Sequence, residues 1–176
     1  MATWNLDPAH CTVEFSVKHF DVSWVKGRFG SVRGTIEFDP ADPMLGSVKA
    51  EIETKSISTA NEARDNHLKS KDFFDAVHQP FITFVSTKVE KAGEVFKVAG
   101  ELMMRGITKP VVLEVKYLGS REIIMGDASQ TRAGFLAKTE VHRDDFGVSW
   151  DAPAGPGIST VGGQVEISLN IEAVKV

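Results

Sequence analysis

The feature that most constrains this chain is a period-two alternation of apolar and polar side chains, recurring about eight times. That spacing puts successive side chains on opposite faces of a strand, one face apolar and one polar. In residues 12–19, Val13, Phe15, Val17 and His19 share a face, with Thr12, Glu14, Ser16 and Lys18 opposite. Residues 31–38 set Val32, Gly34, Ile36 and Phe38 against Ser31, Arg33, Thr35 and Glu37. Val48, Ala50 and Ile52 then alternate with Lys49, Glu51 and Glu53. The same rule orders Val98, Gly100, Leu102 and Met104, and later Val111, Leu113, Val115 and Tyr117. It returns in Ala133, Phe135, Ala137, Thr139 and Val141, and again in Val165, Ile167, Leu169 and Ile171.

Residues 81–89 break the rule. Phe81 and Val85 fall on one parity while Ile82 and Phe84 fall on the other, so this strand needs cover on both faces, from a helix or a partner subunit in a homodimer. Turn residues separate the runs, among them Asp39-Pro40-Ala41-Asp42-Pro43, Lys91-Ala92-Gly93 and Gly119-Ser120. Such connections are too short for parallel crossovers, so the sheet is antiparallel. One helix is expected, from about Ala60 to Lys69, with Thr59 and Glu62 as a capping box. Its narrow apolar stripe of Ala60, Ala63 and Leu68 suits a plug or lid across one end of the sheet. The segment from Asp144 to Gly163, rich in Gly and Pro, reads as a long functional or mobile loop.

About eight two-faced strands make an all-β fold, either a sandwich or a barrel, and closure into a barrel removes exposed edges. Small residues interrupt the apolar rows at Gly34, Ala50, Gly100, Ala133 and Ala137. They leave two readings open: an elongated void walled by residues such as Phe15, Phe38, Leu102, Met104, Phe135 and Ile167, or glycine bends whose space the neighbouring side chains fill. Under the first reading Val17, His19, Gly34, Ile36, Gly100 and Ala137 also contact the ligand, and Arg28, in the turn after the first run, meets its head group at the barrel mouth.

Length and charge narrow the function. The 176 residues fit one domain, and 20 basic residues balanced by 24 acidic ones lack the clustered cations that nucleic-acid binding requires. No run approaches the roughly 20 apolar residues that span a bilayer, so no integral membrane segment is expected. The N-terminus, Met1-Ala2-Thr3-Trp4-Asn5-Leu6-Asp7, has no secretory pattern, so the expected compartment is the cytoplasm, or the periplasm if a leader was removed. Cys11 alone forms no intrachain disulfide and reads as a small buried hydrophobe.

Several motifs resemble one family. Trp4-Asn5-Leu6-Asp7 with Ala9-His10-Cys11, Val13-Glu14-Phe15-Ser16-Val17-Lys18-His19 and Gly27-Arg28-Phe29 are similar to the opening of YceI-like proteins. Arg64-Asp65-Asn66-His67-Leu68, Asp72-Phe73-Phe74, Gln79-Pro80-Phe81-Ile82-Thr83-Phe84, Gly100-Glu101-Leu102, Thr108-Lys109-Pro110-Val111 and Arg143-Asp144-Asp145-Phe146-Gly147 follow in order. The resemblance implies a lipocalin-like eight-stranded antiparallel barrel with one short helix, holding a polyisoprenoid or another long amphiphile such as a fatty-acid-like chain, often in a dimer. Cys11 stands where the family usually has Ser, and many members are periplasmic.

The polar residues are read beside this. Arg64 and His67, three apart on one helical face with Asp65 between them, can bind a head group or pin the lid. Arg143 at the start of the long loop has the same two readings. His10, His19, His67, His78 and His142 lack close metal-ligand spacing, and no Gly-x-Ser-x-Gly elbow or phosphate-cradling loop is present, so no metal, cofactor or catalytic residue is assigned. The expected function is binding, carriage or storage of a long-chain lipid; the alternative is an enzyme acting on a prenyl or acyl lipid in the same cavity.

Overall fold

A computed structural model describes residues 1–176. Eleven strands form one sheet: β1 (Ala2–Leu6), β2 (Thr12–His19), β3 (Ser23–Phe29), β4 (Val32–Phe38), β5 (Ser47–Glu53), β6 (Ile57–Ser58), β7 (Phe81–Ala92), β8 (Val95–Met104), β9 (Ile107–Met125), β10 (Ala128–His142) and β11 (Val161–Lys175). The one α-helix, α1 (Glu62–Lys69), lies between β6 and β7. Every strand pair is antiparallel.

Eleven strands make eight staves because the first three staves are bent. β1 and β2 both pair with β11, at its C-terminal and N-terminal parts respectively, so they are two halves of one stave. β4 continues β3 in the same way, pairing with β1 where β3 pairs with β2, and β6 continues β5. The ring closes through β1 pairing with both β4 and β11. Breaks at residues 7–11, 30–31 and 54–56 let the staves turn while Asp7, Ser31 and Pro80 keep their backbone groups bonded across the bends.

Alternation places the apolar rows inside. Val13, Val32, Ile36, Phe38, Phe135 and Val141 are buried together in one core of 18 residues. In the two-sided strand Ile82 and Phe84 are buried inward, and outside Phe81 lies under the Arg33 guanidinium, 5.3 Å from its ring. Val85 stays exposed.

Several sequence expectations are corrected. The helix starts at Glu62, not Ala60, and its cap is Asn61, whose Oδ1 accepts from the Arg64 N–H. Thr59 does not cap it, because its hydroxyl donates to Asp65 at 2.6 Å, so no capping box with Glu62 forms. Gly119-Ser120 is not a turn; β9 runs on to Met125, with a register shift opposite Gly134 and Phe135. Arg28 lies within β3, opposite Glu14 and Ser58, and not in a turn. The long loop is partly built, with a 3-10 turn over Arg143–Phe146 and a bridge between Pro153 and Ser159.

One end of the barrel carries residues 54–80, the β8–β9 turn and residues 143–160. Leu68, Phe73 and Phe74 pack against the core there, and Phe74 stands edge-on to Phe29 at 5.8 Å. The plug is therefore the helix together with the turns that follow it, since the helix stripe alone is too thin. Arg105 ties the parts together, donating to the carbonyls of Lys71 and Gly147.

Candidate functional site

An apolar cavity of about 180 Å³ runs along the barrel interior, lined by 29 residues of which 23 are hydrophobic. Its walls include Ile36 and Phe38 from β4, Leu102 and Met104 from β8, Phe135 and Ala137 from β10, and Ile167 from β11. All seven were expected from strand parity. Glu37 is the one titratable lining residue, and its carboxylate accepts from the Thr3 hydroxyl at 2.9 Å.

The other expected contacts lie elsewhere. Phe15 packs on Phe29 at 5.9 Å, and a Cβ on Gly27 would overlap its ring. Val17 and His19 sit further along β2; His19 pairs with Val161, and its ring lies tilted against that of Phe20 with centres 3.9 Å apart. Arg28 is exposed on the outer wall.

The small residues divide by type. Gly34 lets β4 and β5 approach, since a Cβ there would strike the Lys49 carbonyl. A Cβ on Gly100 would lie 2.6 Å from the Val85 carbonyl oxygen and within the Phe84 ring, so Phe84 already fills that space. Ala133 is buried outside the cavity wall, whereas Ala50 and Ala137 border the void. The glycines mark close packing and two alanines mark the hollow.

The polar candidates form clasps. Asp65 is buried and accepts from both the backbone N–H and the hydroxyl of Thr59, at 2.8 and 2.6 Å. Arg64 donates to the Thr59 hydroxyl at 2.7 Å and to its carbonyl at 3.1 Å. His67 points away from Arg64: it bonds Asp72 at 2.9 Å and stands edge-on to Phe73 and Trp150. Arg143 is buried, with its guanidinium donating to the carbonyls of Gly162, Val148, Trp150 and Val161 at 2.7–3.1 Å. A fork so occupied holds the 147–160 loop against β11 and has little left for a head group.

Parity could not reveal a fourth cluster, because its members are 125 and 40 residues apart. Arg132 bridges Asp7, at 2.7 Å, and Glu172. His10 bonds the same Asp7 carboxylate at 2.9 Å, and the hydrogen bonds from His10 and then Arg132 pull the Asp7 pKa down to about 2. Asp7, His10 and Glu172 have a grouping that could hold a metal ion, yet the Arg132 guanidinium already supplies the positive charge among them. Nearby, burial pushes the Cys11 thiol pKa up, and its Sγ lies 3.3 Å from the Glu172 carbonyl. That thiol behaves as a small hydrophobe. No helix is long and apolar enough to cross a membrane.

The sequence profile of the YceI-like domain matches residues 4–173. A UPF0312 protein of Pseudomonas aeruginosa is 35% identical over 166 residues, covering 94% of this chain and 82% of that protein. Among solved structures, BcnA of Burkholderia cenocepacia superposes with a TM-score of 0.79 at 25% identity, over 95% of this chain and 98% of that one. A polyisoprenoid binding domain from Saccharophagus degradans superposes with a TM-score of 0.69 over the full length of both chains, at 11% identity, which is a likeness of fold. With the profile spanning nearly every strand and the barrel shared, this chain belongs to the YceI-like family.

Proposed function

We propose that the protein binds the apolar tail of one long single-chain lipid, an isoprenoid or a similar amphiphile, inside the barrel, and carries or stores it without chemical change. The observation that carries this reading is the cavity wall: 23 of 29 lining residues are hydrophobic, and the sole ionisable one is hydrogen-bonded to a neighbour. Such a wall presents no histidine, cysteine or lysine, and its serine and threonine hydroxyls have no base bonded to them to activate an attack on a reacting bond, since the Glu37 carboxylate bonds Thr3. It does offer about 0.8 kcal/mol for each methylene removed from water. The fold shared with a polyisoprenoid binding domain supports the same reading.

The cavity of about 180 Å³ is smaller than the roughly 300–1,000 Å³ pockets of drug-sized ligands. A long tail therefore enters by displacing wall side chains, and the flexible Met104, beside Leu102, is suited to yield. Protein purified without detergent should carry one co-purifying apolar lipid per chain, identified by mass spectrometry of an organic extract. An extract indistinguishable from that of an unrelated protein purified in parallel would defeat the proposal.

A further inference from the structure

The barrel wall has a seam. β9 and β10 pair from the Ala128–Met125 rung down to the Lys138–Glu114 rung, where the ladder stops although both strands continue. Below that rung, β9 residues 107–113 keep β8 as a ladder partner, and β10 residues 139–142 keep β11. The local sequence fits: Pro110, which has no N–H to give a ladder, lies in this part of β9, and proline is confined to such edges. A side-chain bond spans the gap, from the Thr139 hydroxyl to the Val112 carbonyl at 2.9 Å. Lys138 and Glu114, paired at 3.0 Å, close it above, and Arg105 with Gly147 closes it beside Ile107 below.

The seam has space on both sides. Val111, Leu113 and Ala137 face the apolar cavity, while Val112, Lys138 and Glu140 border a dent of about 550 Å³ on the outer wall. Thr139, at the seam, lines both spaces, so a single residue separates them there. The charged groups of the dent are Lys97, Lys138, Glu114, Glu140 and Glu166, two cations against three carboxylates, a net charge of −1. Glu140 and Glu166 stand directly opposite each other across their rung.

We infer that this seam is the lateral mouth of the cavity: the lipid tail passes between β9 and β10, and the head group stays in the dent. This rests on the binding reading above and adds a route and a head-group class. The dent's net negative charge disfavours a phosphate or carboxylate head and suits an uncharged one, such as an alcohol, which can hydrogen-bond to the flanking carboxylates. Thr139 acts as the latch, because its hydroxyl replaces a ladder bond with one that a single rotamer change releases.

The test uses the full chain carrying Cys11→Ser, Val112→Cys and Glu140→Cys, bridged by a reducible bifunctional thiosulfonate. The probes are cis-parinaric acid and the corresponding parinaryl alcohol, polyenes whose fluorescence rises in an apolar site. The bridge should slow alcohol uptake at least tenfold, with the original rate restored on reduction, and Thr139→Val, left unbridged, should take up the alcohol several-fold faster than the native chain. The alcohol should bind several-fold tighter than the ionised acid. Equal uptake rates for bridged and reduced protein would overturn the lateral route, and tighter binding of the acid would overturn the head-group assignment. Failure of the reduced and native proteins to take up either probe would instead overturn the binding reading on which both rest.

Discussion

The plugged end of the barrel and the wall of its cavity are held by different forces. At the plugged end, Arg143, Arg105, Arg64 and Asp65 are committed to backbone and side-chain partners, and the segments they join are loops with no ladder of their own. Along the cavity the wall is apolar contact and strand ladder, and it loosens at the β9–β10 seam. The contrast teaches that at the plugged end charged groups fix loops, while the cavity wall is held by apolar packing and strand ladder. An arginine whose guanidinium is taken up by backbone carbonyls is a structural clamp, whatever its sequence neighbourhood implies.

Four perturbations would break or sharpen that contrast. The largest effect belongs to Arg143→Met, which strands four carbonyls of the loop and the start of β11. Leaving four carbonyls without their donor, at about 1–3 kcal/mol for each that water does not reach, costs about 3–5 kcal/mol in all, a fall in Tm of roughly 10 °C for a chain this size. Thermal denaturation should register that fall while lipid affinity at low temperature stays near native; loss of affinity with unchanged Tm would make Arg143 a head-group ligand after all. Next, Gly100→Ala should cost about 1–3 kcal/mol by urea unfolding, because the new methyl collides with Phe84 and with the backbone of β7. Neutrality there would mean that Gly100 borders a void.

Asp65→Ala leaves the Thr59 amide and the Thr59 hydroxyl proton without an acceptor and should cost about 1–3 kcal/mol, accompanied by faster amide exchange in α1. The smallest effect concerns the outer wall. Asp7, held near 2 when folded against 3.8 ordinarily, adds stability that is complete above about pH 4 and is lost as the pH falls toward 2. Asp7→Asn should therefore flatten the fall in stability between pH 4 and 2, and costs roughly 1 kcal/mol at neutral pH. An unchanged acid limb would show that the Arg132 bridge contributes little.

Strand parity made most of the barrel legible. Ile36, Phe38, Leu102, Met104, Phe135, Ala137 and Ile167 reached the cavity because a closed sheet must send one parity inward. Parity does not say how far along a stave the void extends: on β2, Val13 lines it, while Val17 and His19, further along the same strand, follow the rule yet stand clear. β1 and β3 were not seen, since Trp4-Asn5-Leu6 is too short to declare a period and Trp24 with Val25 breaks it. Glycine misled for a related reason. The absence of a side chain is the same signal whether the space is empty or occupied by Phe84, and only the three-dimensional neighbours distinguish the two. The seam is invisible to periodicity as well, because Val111 and Thr139 keep perfect alternation on either side of a missing ladder.

The central claim is that the barrel is hollow at Ala137, and filling that position tests it most directly. Ala137→Phe, titrated with parinaryl alcohol beside the native chain, should lose at least tenfold in affinity while its unfolding midpoint stays within a few degrees of native. Native affinity in a well-folded Ala137→Phe protein would contradict the account, placing the lipid outside this cavity.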